Sequence, residues 1–171
     1  MKIAVNTRLL LKGKLEGIGW FTYYILKYWV EKHPEHEFFF LFDREFDDSF
    51  QFGKNVTPIK VWPSARHPIL WYIWYEWAVP RVLKRIDADI FISLDAYTSL
   101  SAPIPKLTAI HDVAFALLDD QMDRWSQYFM RHFTPLYLEA SDKIVTVSDS
   151  TKSDLMRIYG CPESKIVVSH N

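Results

Sequence analysis

The stretch KIVTVSDSTKSDLMRIYGCPESKIVV, residues 143–168, contains two apolar runs on either side of a helical segment. The runs Lys143–Val147 and Lys165–Val168 are short, continuous and rich in β-branched residues, which is typical of strands buried on both faces of a parallel sheet. Between them, Ser150 is the predicted N-cap of a helix and Gly160 its C-cap. A strand, a helix and a strand in this order predict the α/β class, in which each helix covers one face of the sheet.

The same alternation of strands and helices extends back to the first residues of the chain. A helical repeat of apolar residues starts near Ile18 and ends at Lys32. Pro58 restricts its strand to an edge of the sheet or shortens it, and Pro80 marks the first turn of a new helix segment. The other predicted elements are the strands Lys2–Asn6, Phe38–Phe42, Val56–Trp62, Asp89–Leu94 and Leu107–Ile110, the helices His67–Arg85 and Gln121–Ala140 (with Pro135 as a candidate kink), and the loops Asp43–Asn55 and Asp112–Asp120. We therefore predict a Rossmann-like parallel sheet of about seven strands with helices on both faces.

Composition limits the function classes. The chain has 171 residues, which suits one domain, and a formal net charge of -1 with basic and acidic residues interspersed. Nucleic acid is not an expected partner, because nucleic-acid binding needs a concentrated basic face. The single cysteine, Cys161, forms no disulfide within the chain and fits a reducing, cytoplasmic compartment. The sequence has no run of the ~20 apolar residues that a membrane-spanning helix needs, and no Cys/His spacing predicts a zinc site.

A polar stretch, Lys12–Gly19, separates the first strand from the first helix. Its glycines, Gly17 and Gly19, allow a ligand to approach the backbone where the helix begins, and a helix N-terminus favours phosphate. A dinucleotide-binding loop has a third glycine at the position of Thr22, so a dehydrogenase is not expected. We expect a valine at Gly19 to block the ligand and to leave the fold intact. The alternative is a flexible connector without a ligand.

Polar residues also follow the carboxyl ends of two predicted strands, the edge at which open parallel sheets bind ligands. His111 and Asp112 come directly after the fifth strand. A histidine there can donate to a phosphate or hydroxyl, or accept a proton near neutral pH. Asp95 follows the fourth strand and is a candidate for binding sugar hydroxyls. The alternatives are a structural histidine and an aspartate that caps a loop or helix.

Four stretches, in this order, resemble the retaining glycosyltransferases of family 4, which have two Rossmann-like domains in the GT-B architecture. They are MKIAVNTRLL with EGIGWFTYYIL (1–10 and 16–26), WAVPRVLKRIDADIFIS (77–93), LTAIHDVAFALL (107–118) and ASDKIVTVSDSTKSDLMRIYGCPESKIVVSHN (140–171). The resemblance covers nearly the whole chain. It implies that residues 1–171 are the N-terminal, acceptor-side half of such an architecture. It also implies that the C-terminal donor-binding domain is absent from this chain, with Asn171 at the linker between the domains.

The resemblance also implies roles for individual residues. Gly17, Ile18 and Gly19 would lie against the donor diphosphate and the acceptor. His111 would lie in the cleft near the transferred sugar as the catalytic residue, with Asp112 following it as in the family.

The donor-binding glutamates of the family, Glu-x7-Glu, belong to its second domain. Glu37 and Glu45 have this spacing, but the predicted strand Phe38–Phe42 separates them, so we interpret the match as a coincidence. In the family the leaving phosphate assists the acceptor on one face of the sugar, usually without a metal, so neither a metal nor a cofactor is expected. Without the second domain, we expect this chain to transfer no sugar by itself.

Three functions remain open. The first is the acceptor-side domain of an enzyme that moves a sugar from a nucleotide-sugar donor, bound mainly by the missing domain, to a saccharide or lipid-linked acceptor. The second is a stand-alone nucleotide- or sugar-binding module without turnover. The third is contact with a membrane surface or a partner through the aromatic helix.

The aromatic helix spans Ile69–Trp77, is apolar nearly all round, and is followed by the basic residues Arg81, Lys84 and Arg85. Packing against the sheet, neighbouring loops or the second domain is the alternative to membrane contact. In either case we expect some of its aromatic side chains to be exposed. The expected location is the cytoplasm, with peripheral contact at the inner face of the membrane as an option.

Overall fold

A computed structural model describes residues 1–117 and 124–170 and shows seven strands in one parallel sheet. The strand order is β3-β2-β1-β4-β5-β6-β7, and every strand pair is parallel. The strands are β1 Lys2–Asn6, β2 Glu37–Phe42, β3 Val56–Lys60, β4 Ile90–Ser93, β5 Lys106–Ile110, β6 Lys143–Thr146 and β7 Ile166–Val168. The predicted seven-stranded Rossmann-like sheet is therefore confirmed. Pro58 lies in β3, at the edge where a missing backbone N–H is tolerated.

Helices cover both faces of the sheet. They are α1 Gly17–Lys32, α2 Pro68–Ile73, α3 Val79–Ile86, α4 Ala114–Leu117, α5 Arg124–Ala140 and α6 Asp149–Tyr159. A π-helical turn, Trp74–Ala78, joins α2 to α3, and 3-10 turns span Asp48–Phe50 and Glu163–Lys165.

The two faces of the sheet have separate apolar cores because alternate strand residues point in opposite directions. Val5 and Phe40 pack with Leu26 of α1 on one face. Ala4 and Leu41 point to the other face, where α2, α3, α5 and α6 pack. The largest fully buried side chains of that second face include Trp74, Tyr75 and Tyr137. The prediction of helices on both faces is confirmed.

Three predicted features need correction. The N-cap of α6 is Ser148 rather than Ser150: Ser148 has extended backbone and its Oγ accepts from the amide of Thr151 at 3.1 Å, whereas Ser150 lies inside the first turn. The predicted loop Asp112–Asp120 contains α4, and Asp112 Oδ1 accepts from the amide of Ala114 at 2.9 Å where that helix begins. The predicted loop Asp43–Asn55 contains a 3-10 turn. The parts of the predictions that fall on residues 118–123 and on Asn171 lie outside the described residues.

Pro80 marks a change of helix type. It lies in the first turn of α3, directly after the π-helical turn, so its predicted position at the start of a new segment is confirmed. A proline cannot donate to the carbonyl four residues earlier, which here belongs to Glu76. That carbonyl accepts instead from Ser101 Oγ at 3.0 Å, while the Glu76 carboxylate accepts from the amides of Leu100 and Ser101. The helix is thereby fixed to the loop that follows β4.

Among the described residues, no helix combines the length and the apolar character that crossing a bilayer requires.

Candidate functional site

The candidate site lies at the carboxyl edge of the sheet. The chain runs outward from β1 through β2 to β3 and then returns to place β4 on the other side of β1. Such a reversal of strand order opens a crevice at the carboxyl ends of the two central strands, and ligands of open α/β sheets bind there. Here the two strand ends meet at Asn6 and Ser93, which are paired in register.

A buried polar network occupies the floor of this crevice. Asn6 Nδ2 donates to Tyr75 Oη at 2.7 Å and to Ser93 Oγ at 3.0 Å. Both hydroxyls donate in turn to Asp95 Oδ1, each at 3.0 Å. Arg8 Nε donates to the other oxygen of Asp95 at 2.6 Å, and this ion pair is buried on both sides. The network therefore links the ends of β1 and β4 to the aromatic helix.

Arg8 is enclosed by aromatic rings. Its guanidinium carbon lies 4.9 Å from the ring centroid of Tyr97 and 5.8 Å from that of Trp71. Burial is the largest single influence and opposes the charge, but the charge and hydrogen bond of Asp95 together with the neighbouring Tyr75 and Tyr97 raise the pKa of Arg8, so the side chain stays cationic. Burial raises the pKa of Tyr97 to about 12 and that of Tyr75 well above its ordinary value, so both phenols are neutral. Sequence reasoning missed Arg8; its only signal was a charged residue directly after a buried strand.

Asp95 thus lies at the predicted edge, but its carboxylate faces inward and both of its oxygens accept hydrogen bonds from protein groups. The structure assigns it to the ion pair with Arg8. Binding of sugar hydroxyls by Asp95 stays a prediction.

The glycine loop has one open and one packed glycine. A Cβ at Gly17, the first residue of α1, would meet no described atom within 4 Å. A Cβ at Gly19 would lie 3.0 Å from the Leu9 carbonyl oxygen and 3.2 Å from Leu15 Cδ2. Gly19 is therefore required by packing within the loop, and a valine there would disturb the fold as well as any site. Gly17 is the glycine that leaves space for a ligand.

The first turn of α1 is open to an anion. Glu16, its N-cap residue, forms no side-chain capping hydrogen bond within the described part of the chain, and the turn holds no acidic residue. The first amides of a helix have no intrahelical acceptor, and the helix dipole places partial positive charge beside them. A cavity of about 360 Å³ next to this turn is lined by Ile18, by Lys14, which sequence reasoning did not single out, and by Glu16, so the positive charge of the lysine is accompanied by the negative charge of a carboxylate. A second cavity of about 430 Å³ lies on the other side of Gly17, between α1 and residues Ser169 and His170.

His111 lies beside α1 at the end of β5. Its ring meets that of Phe21 edge-on, with centroids 4.8 Å apart. Nε2 lies 2.8 Å from the carbonyl oxygen of Leu94, and because a carbonyl only accepts, Nε2 carries the proton. Nδ1 has no hydrogen-bond partner among the described residues and is the nitrogen left for a ligand. The backbone oxygen of His111 accepts from Thr151 Oγ1 of α6 at 2.9 Å, so three elements fix this position.

The tertiary structure therefore brings the predicted residues Gly17, Ile18 and His111 to one edge. Asp112 is exposed beside them and caps α4.

The aromatic helix is buried on one side and exposed on the other. Trp74 and Tyr75 have no exposed surface, whereas Ile69 and Trp77 are 65% and 57% exposed, which confirms the expected partial exposure. Between this helix and α5 lies a cavity of about 440 Å³ with an almost wholly apolar lining, formed by His67, Pro68, Ile69, Tyr72, Trp125, Tyr128, Phe129 and Phe133.

Residues 15–171 match the sequence model of the family described as Glycosyltransferase Family 4. No curated protein sequence matches the chain.

Several solved structures share the fold. A glycosyltransferase from Rickettsia africae ESF-5 is 18% identical with a TM-score of 0.64, and the match covers 99% of this chain and 42% of that protein. The apo form of the lipopolysaccharide outer core galactosyltransferase WaaB is 15% identical with a TM-score of 0.67, and the match covers 100% of this chain and 46% of that protein. Anabaena Alr3699/HepE in complex with UDP and glucose is 16% identical with a TM-score of 0.61, and the match covers 100% of this chain and 44% of that protein. The chain spans less than half the length of each of these proteins, and at such identities the likeness concerns the fold alone.

Proposed function

The chain belongs to glycosyltransferase family 4, and from that premise we propose that it is the acceptor-side domain of an enzyme that transfers a sugar from a nucleotide-sugar donor to a saccharide or lipid-linked acceptor. The observation that carries this proposal is the juxtaposition of the open first turn of α1 at Gly17 with the free Nδ1 of His111. An anion-binding turn and a hydrogen-bonding imidazole at one edge suit a diphosphate and a sugar hydroxyl.

The first turn of α1 and His111 would have different roles in binding. The uncapped amides of the first α1 turn would hold phosphate oxygens of the donor or the leaving diphosphate, and Lys14 at the rim would offset the negative charge of the neighbouring Glu16. His111 would bind the transferred sugar or the acceptor hydroxyl through Nδ1, because Nε2 is held by Leu94. The fixed orientation of the ring matters, since a positioned polar group contributes more to the transition state than a mobile one.

We propose that this chain by itself transfers no sugar. The similar structures are more than twice as long, so more than half of each of those proteins has no counterpart here. A UDP-linked sugar is the first donor to test, because the structure of the Anabaena protein contains UDP and glucose.

The apolar cavity between the aromatic helix and α5 favours a lipid-linked acceptor over a free saccharide. A cavity of about 440 Å³ lined by Ile69, Tyr72 and Trp125 among others would accept hydrocarbon, whereas free sugars need polar partners. Trp and Tyr side chains also favour the membrane–water interface. We therefore propose peripheral contact with a membrane surface, and because the single cysteine fits a reducing compartment, we propose the cytoplasmic, inner face.

The test uses the complete enzyme that contains this chain, a panel of nucleotide sugars, and the variant His111→Ala. We expect kcat to fall more than about tenfold, the order for losing a positioned polar group, while Tm hardly changes. His132→Ala, an exposed histidine on α5, is the matched histidine control and should keep full activity. A loss of several degrees in Tm with unchanged kcat would mean that His111 is structural.

A stand-alone binding module is the second candidate, and calorimetry combined with the transfer assay distinguishes it from an enzyme. It would bind a nucleotide sugar in calorimetry and show no transfer to any acceptor even in the complete polypeptide.

A further inference from the structure

Three potential metal ligands meet in the turn between α1 and β2, at the edge of the sheet opposite the glycine loop. They are His33, directly after the last residue of α1, with Glu35 and His36, directly before β2. Their ligand atoms all lie within 4.8 Å of one another. His33 Nδ1 is 3.2 Å and His36 Nε2 is 3.7 Å from the same oxygen, Glu35 Oε1. Ligands of a tetrahedral zinc ion at about 2.0–2.1 Å from the metal lie about 3.3 Å apart, so the side chains have to turn toward one another when an ion binds.

The two imidazoles have a spacing that suits a shared ion. Their centroids are 5.5 Å apart, against about 5 Å for two histidines bound to one tetrahedral zinc ion, and because the ring planes are only 11° from parallel, at least one ring has to rotate before both nitrogens point at the same ion. Nε2 of His36 is the nitrogen that faces Glu35, whereas Nδ1 is buried and has no hydrogen-bond partner among the described residues to orient the ring. The side chains of His33 and Glu35 are about half exposed, so an ion and its water ligands have access.

The backbone that carries these ligands is fixed from two sides. The amide of His36 donates to the carbonyl of His33 at 3.1 Å and closes the turn. Asn55 Nδ2, at the start of β3, lies 3.1 Å from the carbonyl oxygen of His36, 3.3 Å from that of His33 and 3.4 Å from that of Val30. Pro34 further restricts the turn. The ligands are therefore held close together before an ion binds, which lowers the entropy cost of binding.

We propose that His33, Glu35 and His36 form a binding site for a divalent transition-metal ion of the zinc type, completed by water. Two imidazole nitrogens and one carboxylate oxygen select such ions over Mg²⁺ and Ca²⁺, which prefer oxygen ligands. The site joins the end of α1 to the start of β2, so its role is to stabilise that connection. It lies apart from the proposed transfer site and does not depend on it.

Sequence reasoning did not single out these residues. His33 and His36 lie three positions apart across a proline, outside any helix, and that spacing is not a zinc-ligand pattern by itself. Only the fold of the turn and its attachment to Asn55 bring both rings to one side.

The test is calorimetric titration of this chain, freed of any polyhistidine tag and treated with chelator, with Zn²⁺ and separately with Mg²⁺. We expect one Zn²⁺ per chain and no heat with Mg²⁺. At Zn²⁺ concentrations 100 times Kd, the apparent unfolding constant should fall about 100-fold, which is measured as a rise in Tm.

His33→Ala and Glu35→Gln should each weaken binding at least tenfold and abolish the Tm rise. His132→Ala, an exposed histidine on α5, is the matched control and should bind Zn²⁺ like the wild type. Circular dichroism checks that the variants are folded. Absence of a single-ion isotherm, equal binding of Mg²⁺, or unchanged affinity in the folded His33→Ala variant would each overturn the proposal.

Discussion

Replacing Asp95 by asparagine tests whether the crevice floor is structural. The variant keeps the shape of the side chain and removes the negative charge that faces Arg8 at 2.6 Å. It also places an amide N–H₂ either against the Arg8 N–H or against the hydroxyls of Tyr75 and Ser93, which now donate to the carboxylate. A buried cation would then lack its counter-charge.

The size of the effect follows from the burial of the pair. Both side chains are less than 10% exposed, and breaking one partner of a buried ion pair costs about 3–5 kcal/mol. With a urea dependence of about 2 kcal/mol per M, the midpoint of unfolding should fall by about 2 M. Such a loss is a large part of the roughly 5–15 kcal/mol that stabilises a domain.

The assay is equilibrium unfolding in urea, followed by circular dichroism. Asp47→Asn is the matched control, because Asp47 pairs with Lys12 on the surface and its replacement should leave the midpoint unchanged. The double variant Arg8→Met/Asp95→Leu should lose much less stability than the sum of the two single changes, since neither charge remains unpaired. An Asp95→Asn midpoint within about 0.3 M of the wild type would refute the reasoning. Normal stability combined with a more than tenfold loss of transfer in the complete enzyme would instead assign Asp95 to the sugar.

The glycine loop, Tyr97 and the exposed aromatic surface can each be tested by substitution. Gly17→Val should strongly lower transfer by the complete enzyme and leave Tm unchanged. Gly19→Val should also lower Tm and reduce the free energy of unfolding by about 1–3 kcal/mol, because only Gly19 is in close contact with Leu9. The opposite ranking of the two Tm values would contradict this. Burial raises the pKa of Tyr97 to about 12, from about 10 in an unfolded chain, so the neutral phenol contributes fully to the free energy of unfolding below pH 10 and this contribution is lost between pH 10 and 12. In urea titrations, Tyr97→Phe should reduce the fall in unfolding free energy over this pH range by about 2–3 kcal/mol. If the aromatic surface meets lipid, the chain should co-sediment with anionic liposomes at low salt and the variant Ile69→Ser/Trp77→Ser should not, whereas failure of the wild type to bind would remove the membrane proposal.

The sequence by itself determined the fold class. Apolar runs such as Lys2–Asn6 and Lys143–Val147 predict strands because a strand buried on both faces needs no alternation. Pro58 predicted an edge because a proline cannot donate to a neighbouring strand. These properties are local, so they can be inferred from a short window of residues. The family resemblance, carried by four stretches in order, was likewise present in the sequence.

The site was only partly determined by the sequence. Gly17 and His111 were found because the carboxyl end of a strand is a place that the pattern locates. The different roles of Gly17 and Gly19 depend on Leu9 and Leu15, which the loop folds against one glycine and not the other. No periodicity reports such a contact.

Only the tertiary structure decided what the polar residues at the carboxyl edge do. Asp95 became the partner of Arg8 because β1 and β4, distant in sequence, lie side by side in the sheet. The cluster of His33 and His36 likewise depends on Asn55, which reaches the turn from the next strand along the sheet. Whether a charged side chain binds a ligand or another side chain depends on what lies within about 3 Å of it, and those neighbours come from distant parts of the chain.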